Sequence, residues 1–264
     1  MMRDTIRKII MIIAIIVFLF SSFMVLKYFL QMQAGAELTE TISEMVVVLP
    51  TESAVYEVTD PVQPEIIEET IEKEHTPPPI QVDFDSLCSQ NQDVVAWLYC
   101  PDTVINYPVV QASDNEYYLN RLLDGRRNVA GTLFVDYRNS GDFTDWNTVI
   151  YGHHMKNKSM FGSLTKYKKQ AYFDLHPVMY LLTPDVNYKI NILAGFVTPG
   201  NSELYNALNP DEEKKLSLFQ SWKNDSTFDA ELDSDAENRF ITLSTCSYEY
   251  RNARYVLIGV LEEL

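Results

Sequence analysis

The sequence predicts a mainly β domain, a barrel or sandwich carrying a few helices, behind an apolar anchor and an acidic spacer. Three observations carry that reading. From about residue 81 onward, short runs of β-type residues separated by turn formers dominate the chain. Residues 9–30 are apolar apart from two serines and Lys27, and as a helix they reach about 33 Å, enough for a roughly 30 Å hydrocarbon core. Residues 32–80 are rich in Glu, Thr, Val and Pro and end in Pro77-Pro78-Pro79.

Taken in order, residues 1–31 form a tip and transmembrane anchor. Arg3, Arg7 and Lys8 precede the apolar run, which orients the N-terminus to the cytoplasm and the bulk of the chain outside. A cleaved signal peptide is the rival reading, with Ala34-Gly35-Ala36 as its cleavage site. Its apolar region would ordinarily be about 7–15 residues, so the longer run favours an uncleaved anchor. Residues 32–80 form a stalk. Positions 37–75 hold eleven acidic residues against one lysine, a net of −10, and self-repelling charge with proline predicts an extended, largely disordered segment. An acidic docking segment is the alternative. The Val46–Leu49 run is too short to make a core by itself.

Residues 81–264 form the folded domain. Phe84–Gln92 and Val94–Leu98 read as helical, with Asp83 or Asp85 as a cap. Strands follow at Val104–Val110, Gly131–Val135, Thr148–Tyr151, Val178–Leu182, Tyr188–Val197, Arg239–Ser244 and Tyr255–Leu261. Between Asn209 and Asn224 the pattern turns helical, with Leu216, Phe219 and Trp222 marking an apolar face.

The formal net charge of −16 argues against nucleic acid, and against anionic lipid headgroups through overall charge alone. Cys88, Cys100 and Cys246 are an odd set without a CxxC pair, which argues against a disulfide framework and a zinc ribbon. Cys88 and Cys100 read as small buried hydrophobes, although a pairing between them is open.

Cys246 stands out by position. Ile241 and Leu243 alternate with Thr242 and Ser244, and Cys246 sits where this strand gives way to the polar loop Ser247–Ala253. The return strand begins at Tyr255, so a hairpin sets Arg254 close to Cys246. A guanidinium there lowers a thiol pKa or stabilises an oxyanion. From these residues alone, a buried cysteine beside a solvated arginine fits equally well. A thiol nucleophile needs a base, and His153 and His154 end another apolar strand just after Gly152, whereas His75 lies in the stalk and His176 precedes Pro177. A glycine at that point permits a close approach by backbone or substrate. Metal binding has no support in spacing, since H-x-E-x-H is absent. There is also no G-x-S-x-G elbow, P-loop or G-x-G-x-x-G.

Thr242-Leu243-Ser244-Thr245-Cys246, with Arg254 eight residues on before Tyr255-Val256-Leu257-Ile258, resembles the cysteine–arginine signature of sortases. Asn147-Thr148-Val149-Ile150-Tyr151-Gly152-His153 is similar to the histidine motif of that family. The segments Asn91–Leu98, Ile105–Gln111, Asp114–Leu119 and Gly131–Asp136 resemble its class B branch, and the likeness spans roughly 83–262. It implies a closed β-barrel of about eight strands, with N-terminal helices and a helix inserted before the cysteine strand, here Asp211–Asn224. It also implies a cysteine transpeptidase that needs no metal or organic cofactor. Cys246 would be the nucleophile, His153 rather than His154 the acid–base, and Arg254 rather than Arg251 the oxyanion or substrate-positioning group. Ser244 and Thr245 are candidate substrate contacts.

The implied substrates are secreted proteins with a C-terminal sorting pentapeptide, cut after threonine. The acyl group would pass from a thioester to a peptidoglycan amine on the outer face of a Gram-positive-type membrane. A pilin-polymerising sortase, with a pilin lysine as acceptor, is the nearest alternative. A cysteine protease releasing its product to water and a catalytically idle surface domain are the others.

Overall fold

The computed structural model describes residues 2–49 and 77–264. His75 and most of the acidic run therefore lie outside the described residues. Helix α1 (Met2–Ser43) contains the apolar run and continues beyond it. Strand β1 (Val46–Val48) pairs antiparallel with β2 (Ile80–Val82), Val46 opposite Val82. The two described ends of the segment read as an extended stalk are therefore helix and strand. Ile42 is buried with Ile80, Leu87 and Trp97, so an apolar side chain on the last turn of α1 has found a core to join.

Asp83 caps α2 (Phe84–Gln90), its carboxylate accepting from Ser86 N at 3.0 Å. The helical reading of Val94–Leu98 is wrong, because β3 (Val94–Tyr99) is a strand. Asn91 ends the helix in extended backbone, and its side-chain amide donates to Leu123 O (2.7 Å) and Tyr118 Oη (2.8 Å). With the chain pinned there, Val94, Ala96, Trp97 and Leu98 are buried between two neighbouring strands. Burial on both faces hides the period-2 alternation that would have announced a strand.

The remaining strands are β4 (Asn106–Val110), β5 (Leu133–Val135), β6 (Asn147–Tyr151), β7 (Val178–Leu182), β8 (Asn187–Pro199), β9 (Phe240–Cys246) and β10 (Ala253–Glu263). Together with β3 they close a barrel in the order β10-β8-β7-β3-β4-β5-β6-β9. Two neighbouring pairs, β4 with β5 and β6 with β9, are parallel. The interior is filled by alternate side chains such as Leu98, Val109, Leu133, Ile150, Leu181, Ile190, Ile241 and Leu257. Between β6 and β7, a 3₁₀ segment (Phe161–Lys168) and α3 (Gln170–Leu175) are elements the sequence pattern did not predict.

Helix α4 (Glu212–Asp225) begins at its Asp211 cap and packs outside the barrel. Trp222 stacks on Trp146 at 5.2 Å and meets Phe240 edge-on. Phe219 joins them, but Leu216 is 51% exposed, so the buried stripe is narrower than the sequence spacing predicted. This outer layer also covers the polar side of β9. Thr242 and Ser244 are fully buried, with Thr242 donating to Asn147 Oδ1 at 2.7 Å.

Candidate active site

Strand β9 brings the site together because each neighbour sets one residue opposite its last. In the antiparallel pair with β10, Arg254 faces Cys246 directly. Side chains so opposed leave the same face of the sheet, from Cα atoms about 4.5–5.5 Å apart. In the parallel pair with β6, Tyr151 matches Ser244, and Gly152 N donates to Ser244 O at 3.1 Å. Two residues beyond that pair, His153 and Cys246 line the same cleft. All five residues singled out in the sequence (Cys246, His153, Arg254, Ser244 and Thr245) line one cleft of about 560 Å³.

Their environments differ. Cys246 is half-buried and free, whereas Ser244 and Thr245 are buried. The hydroxyl of Ser244 shares a hydrogen bond with that of Tyr205 at 2.8 Å, and Thr245 Oγ1 donates to Gly152 O at 2.8 Å. These two hydroxyls brace the floor beneath the cysteine. His153 Nε2 lies 2.6 Å from Leu119 O, and His154 Nδ1 lies 2.8 Å from Cys246 O. A carbonyl only accepts, so each of those nitrogens carries its proton here. The adjacent histidines thus face different partners, His153 on the cleft and His154 behind the backbone of the cysteine. Arg254 is half-buried on the cleft wall, its Nη1 donating to Ala253 O at 3.0 Å, while Arg251 is exposed in the turn and lines no part of the cleft.

The approach expected at Gly152 comes from inside the barrel. A Cβ there would meet Leu133 Cδ2 at 2.5 Å and Phe161 Cδ2 at 2.6 Å. The loop after Cys246 turns back through Asn252, at φ 65°, a conformation that asparagine tolerates. Asn252 O accepts from Gly200 N at 2.9 Å, which ties this hairpin to the end of the neighbouring β8. Lys168 on the 3₁₀ segment pairs with Glu249, which also accepts from Ser247. Those bonds hold the Glu249 carboxyl down at about 2.

Sequence reasoning missed several wall residues, including Leu119, Arg138 and Tyr205. Arg138 grips the fully buried Asp136 through two nitrogens at 2.7 and 2.9 Å and also donates to Tyr205 O at 2.6 Å. Tyr151 Oη donates to the same carboxylate at 2.9 Å. Asp136 and Arg138 lie two apart just after a strand, a weak hint. Tyr205 has no local signal and reaches the site only through the fold.

The sortase domain model matches residues 98–262. The chain belongs to the sortase family, in its class B branch. Sortase B of Listeria monocytogenes is 36% identical over 173 residues, covering 65% of this chain and 70% of that protein. Sortase B of Staphylococcus aureus is 26% identical over 182 residues, covering 68% and 75%. Among solved structures, sortase B of B. anthracis in complex with AAEK1 superposes with a TM-score of 0.63 at 34% identity, covering 69% of this chain and 84% of that one. A sortase B complexed with triglycine gives a TM-score of 0.65 at 27% identity, with coverages of 69% and 86%. The sortase described here is thus a cysteine transpeptidase on a closed eight-stranded barrel, preceded by a helix long and apolar enough to cross a membrane.

Proposed function

We propose that this sortase is held in the membrane by α1 with its N-terminus in the cytoplasm, and that it joins secreted proteins to a cell-wall peptidoglycan amine. The observation that supports the reading best is the double register of β9, which sets Arg254 and the His153 segment on either side of Cys246. Cys246 Sγ, as thiolate, attacks the threonine carbonyl of a sorting pentapeptide. The peptide C–N bond breaks, a thioester forms, and His153 gives its proton to the departing amine. An acceptor amine then attacks the thioester, His153 takes the proton released, and the thiolate is restored. Arg254 holds the oxyanion in each tetrahedral state or positions the substrate backbone. Ser244 and Thr245 act from beneath, keeping Cys246 at the cleft floor.

Transfer must outrun hydrolysis although water is far more abundant than any amine, so the acceptor has to be bound and oriented. The triglycine bound to a related sortase B supports a short glycine-type amine as acceptor. The test is to incubate the full chain with a sorting-peptide library and candidate amines and to read products by mass spectrometry. Amide products that depend on the amine are expected. Free acid alone, whatever amine is supplied, would make the chain a hydrolase.

A further inference from the structure

The overall charge argues against anionic lipid as a partner, but its distribution reverses that at one edge. The apolar run of α1, broken only by two serines and Lys27, ends at Leu30, and Gln31 follows it. Gln31 O accepts a hydrogen bond from Asn128 Nδ2 at 2.6 Å, and the Asn128 side chain lies 3.5 Å from where a Cβ on Gly35 would stand. The barrel turn 121–128 is therefore seated on the helix where its apolar run ends. Phe23, Leu26 and Leu30 meet Leu122 around a recess of about 320 Å³, and Lys27, Arg126 and Arg127 also line it.

The turn carries three arginines and one aspartate. Arg121 lies 4.6 Å over the Tyr117 ring and donates to Gly125 O at 3.2 Å, which fixes the shape of the turn. Arg126 pairs with Asp124 at 2.5 Å yet keeps 62% of its side chain exposed. Arg127 and Lys27 are exposed and have no ion-pair partner among the described residues. These four cations and one acid give a local +3 in a chain of net −16.

We propose that the 121–128 turn, with Lys27, is a docking surface for anionic phospholipid headgroups of the leaflet from which α1 emerges. The inference rests on the reading of α1 as a membrane anchor. Basic side chains beside an anionic surface are attracted within a Debye length, while the acidic remainder of the domain is repelled. This edge is seated where the apolar run ends, so docking it orients the domain as well as tethering it. The turn is continuous with the cleft wall. Thr132 Oγ1 donates to Arg121 O at 2.9 Å, and Leu119, two residues before Arg121, carries the carbonyl that meets His153. Docking thus sets the height of the cleft above the membrane.

The experiment places the full chain in nanodiscs of phosphatidylcholine alone, or with about 30% phosphatidylglycerol, and follows amide hydrogen exchange of residues 121–128 against strand 178–182. Exchange in the turn is expected to slow by about threefold or more in anionic discs at low salt, and to return to the phosphatidylcholine rate at about 0.5 M salt. Arg127→Gln, which leaves the Asp124–Arg126 pair in place, should halve the slowing, and Arg126→Glu with Arg127→Glu should remove it. Equal exchange in the two lipids, with the chain co-eluting with the discs, overturns the docking and leaves the anchor intact. A chain that does not co-elute with either disc overturns the anchor and the docking together. Equal slowing by inorganic phosphate in phosphatidylcholine discs would make the turn a free-anion site and overturn the lipid assignment.

Discussion

A cysteine attacks as its thiolate, and the three thiols of this chain are placed very differently. Cys100 is fully buried and burial pushes its pKa up; Cys88 is raised too, by burial and then by Asp85. Neither lines the cleft. Cys246→Ala should therefore abolish covalent capture of an electrophilic sorting-peptide analogue, while Cys88→Ala and Cys100→Ala retain it, as read by intact mass. His153→Ala should cost about 10²–10⁴ in rate, as expected for an acid–base group. His154→Ala removes the bond to Cys246 O and the edge-on contact with Tyr248; at about 1 kcal/mol the bond is worth roughly fivefold. Equal losses would show that the pair works as one unit. For Arg254 the discriminating variant is lysine, which keeps the charge and loses the fork. If the guanidinium holds the oxyanion, Arg254→Lys should be nearly as slow as Arg254→Ala, roughly 10²–10³-fold down at every pH. If it only favours the thiolate, lysine should rescue, and Arg254→Ala should recover as pH rises.

Two elements beside Cys246, His153 and Arg254 hold the cleft in shape. Burial opposes ionisation of Asp136, but Arg138 and Tyr151 outweigh it and keep the carboxyl below its ordinary value. A depressed folded pKa stabilises above the unfolded value, about 4, and that stability is lost as pH falls below it. Arg138→Leu strands the buried carboxylate. It should cost roughly 2 kcal/mol at pH 7, below the 3–5 of a fully buried pair because Arg138 is partly exposed, and less as pH approaches 4. Thermal unfolding at both pH values checks this. The clamp between Lys168 and Glu249 is 31% and 41% exposed, so Lys168→Ala should change stability by under about 0.5 kcal/mol. Its effect should appear as faster amide exchange in 247–252 and a drop in kcat/KM. The same elements show what the sequence could and could not reveal. Strands with one wet end or a strong β run, such as Val178–Leu182, were legible residue for residue. Val94–Tyr99 was not, because it is buried on both faces. That Cys246, His153 and Arg254 share one cleft was legible because motif spacing survives at strand ends. Tyr205 and Leu119 were not, since nothing local distinguishes a tyrosine or a carbonyl that the fold carries to a cleft.

Across the whole molecule, the N-terminal segment does more than precede the barrel. Removing residues 1–36 should leave an active domain that retains Ile42, whereas removing 1–76 also deletes β1 and that buried side chain. Losing one such burial is worth about 1.5–3 kcal/mol, and at about 2–4 °C per kcal/mol the shorter form should melt several degrees lower. A shorter form melting at the same temperature would mean that the β1–β2 pair and Ile42 add nothing. The parallel seam between β6 and β9 has a different consequence. Cys246 ends β9 and His153 follows the neighbouring β6, yet close to ninety residues of chain run between them. Closing a loop of that length costs roughly 4 kcal/mol of chain entropy before any contact rewards it, and such distant pairings form late and slowly. A chain that has collapsed but not zipped this seam holds its thiol apart from its histidine. Any chemistry that needs the two side chains together is then absent until that seam has formed.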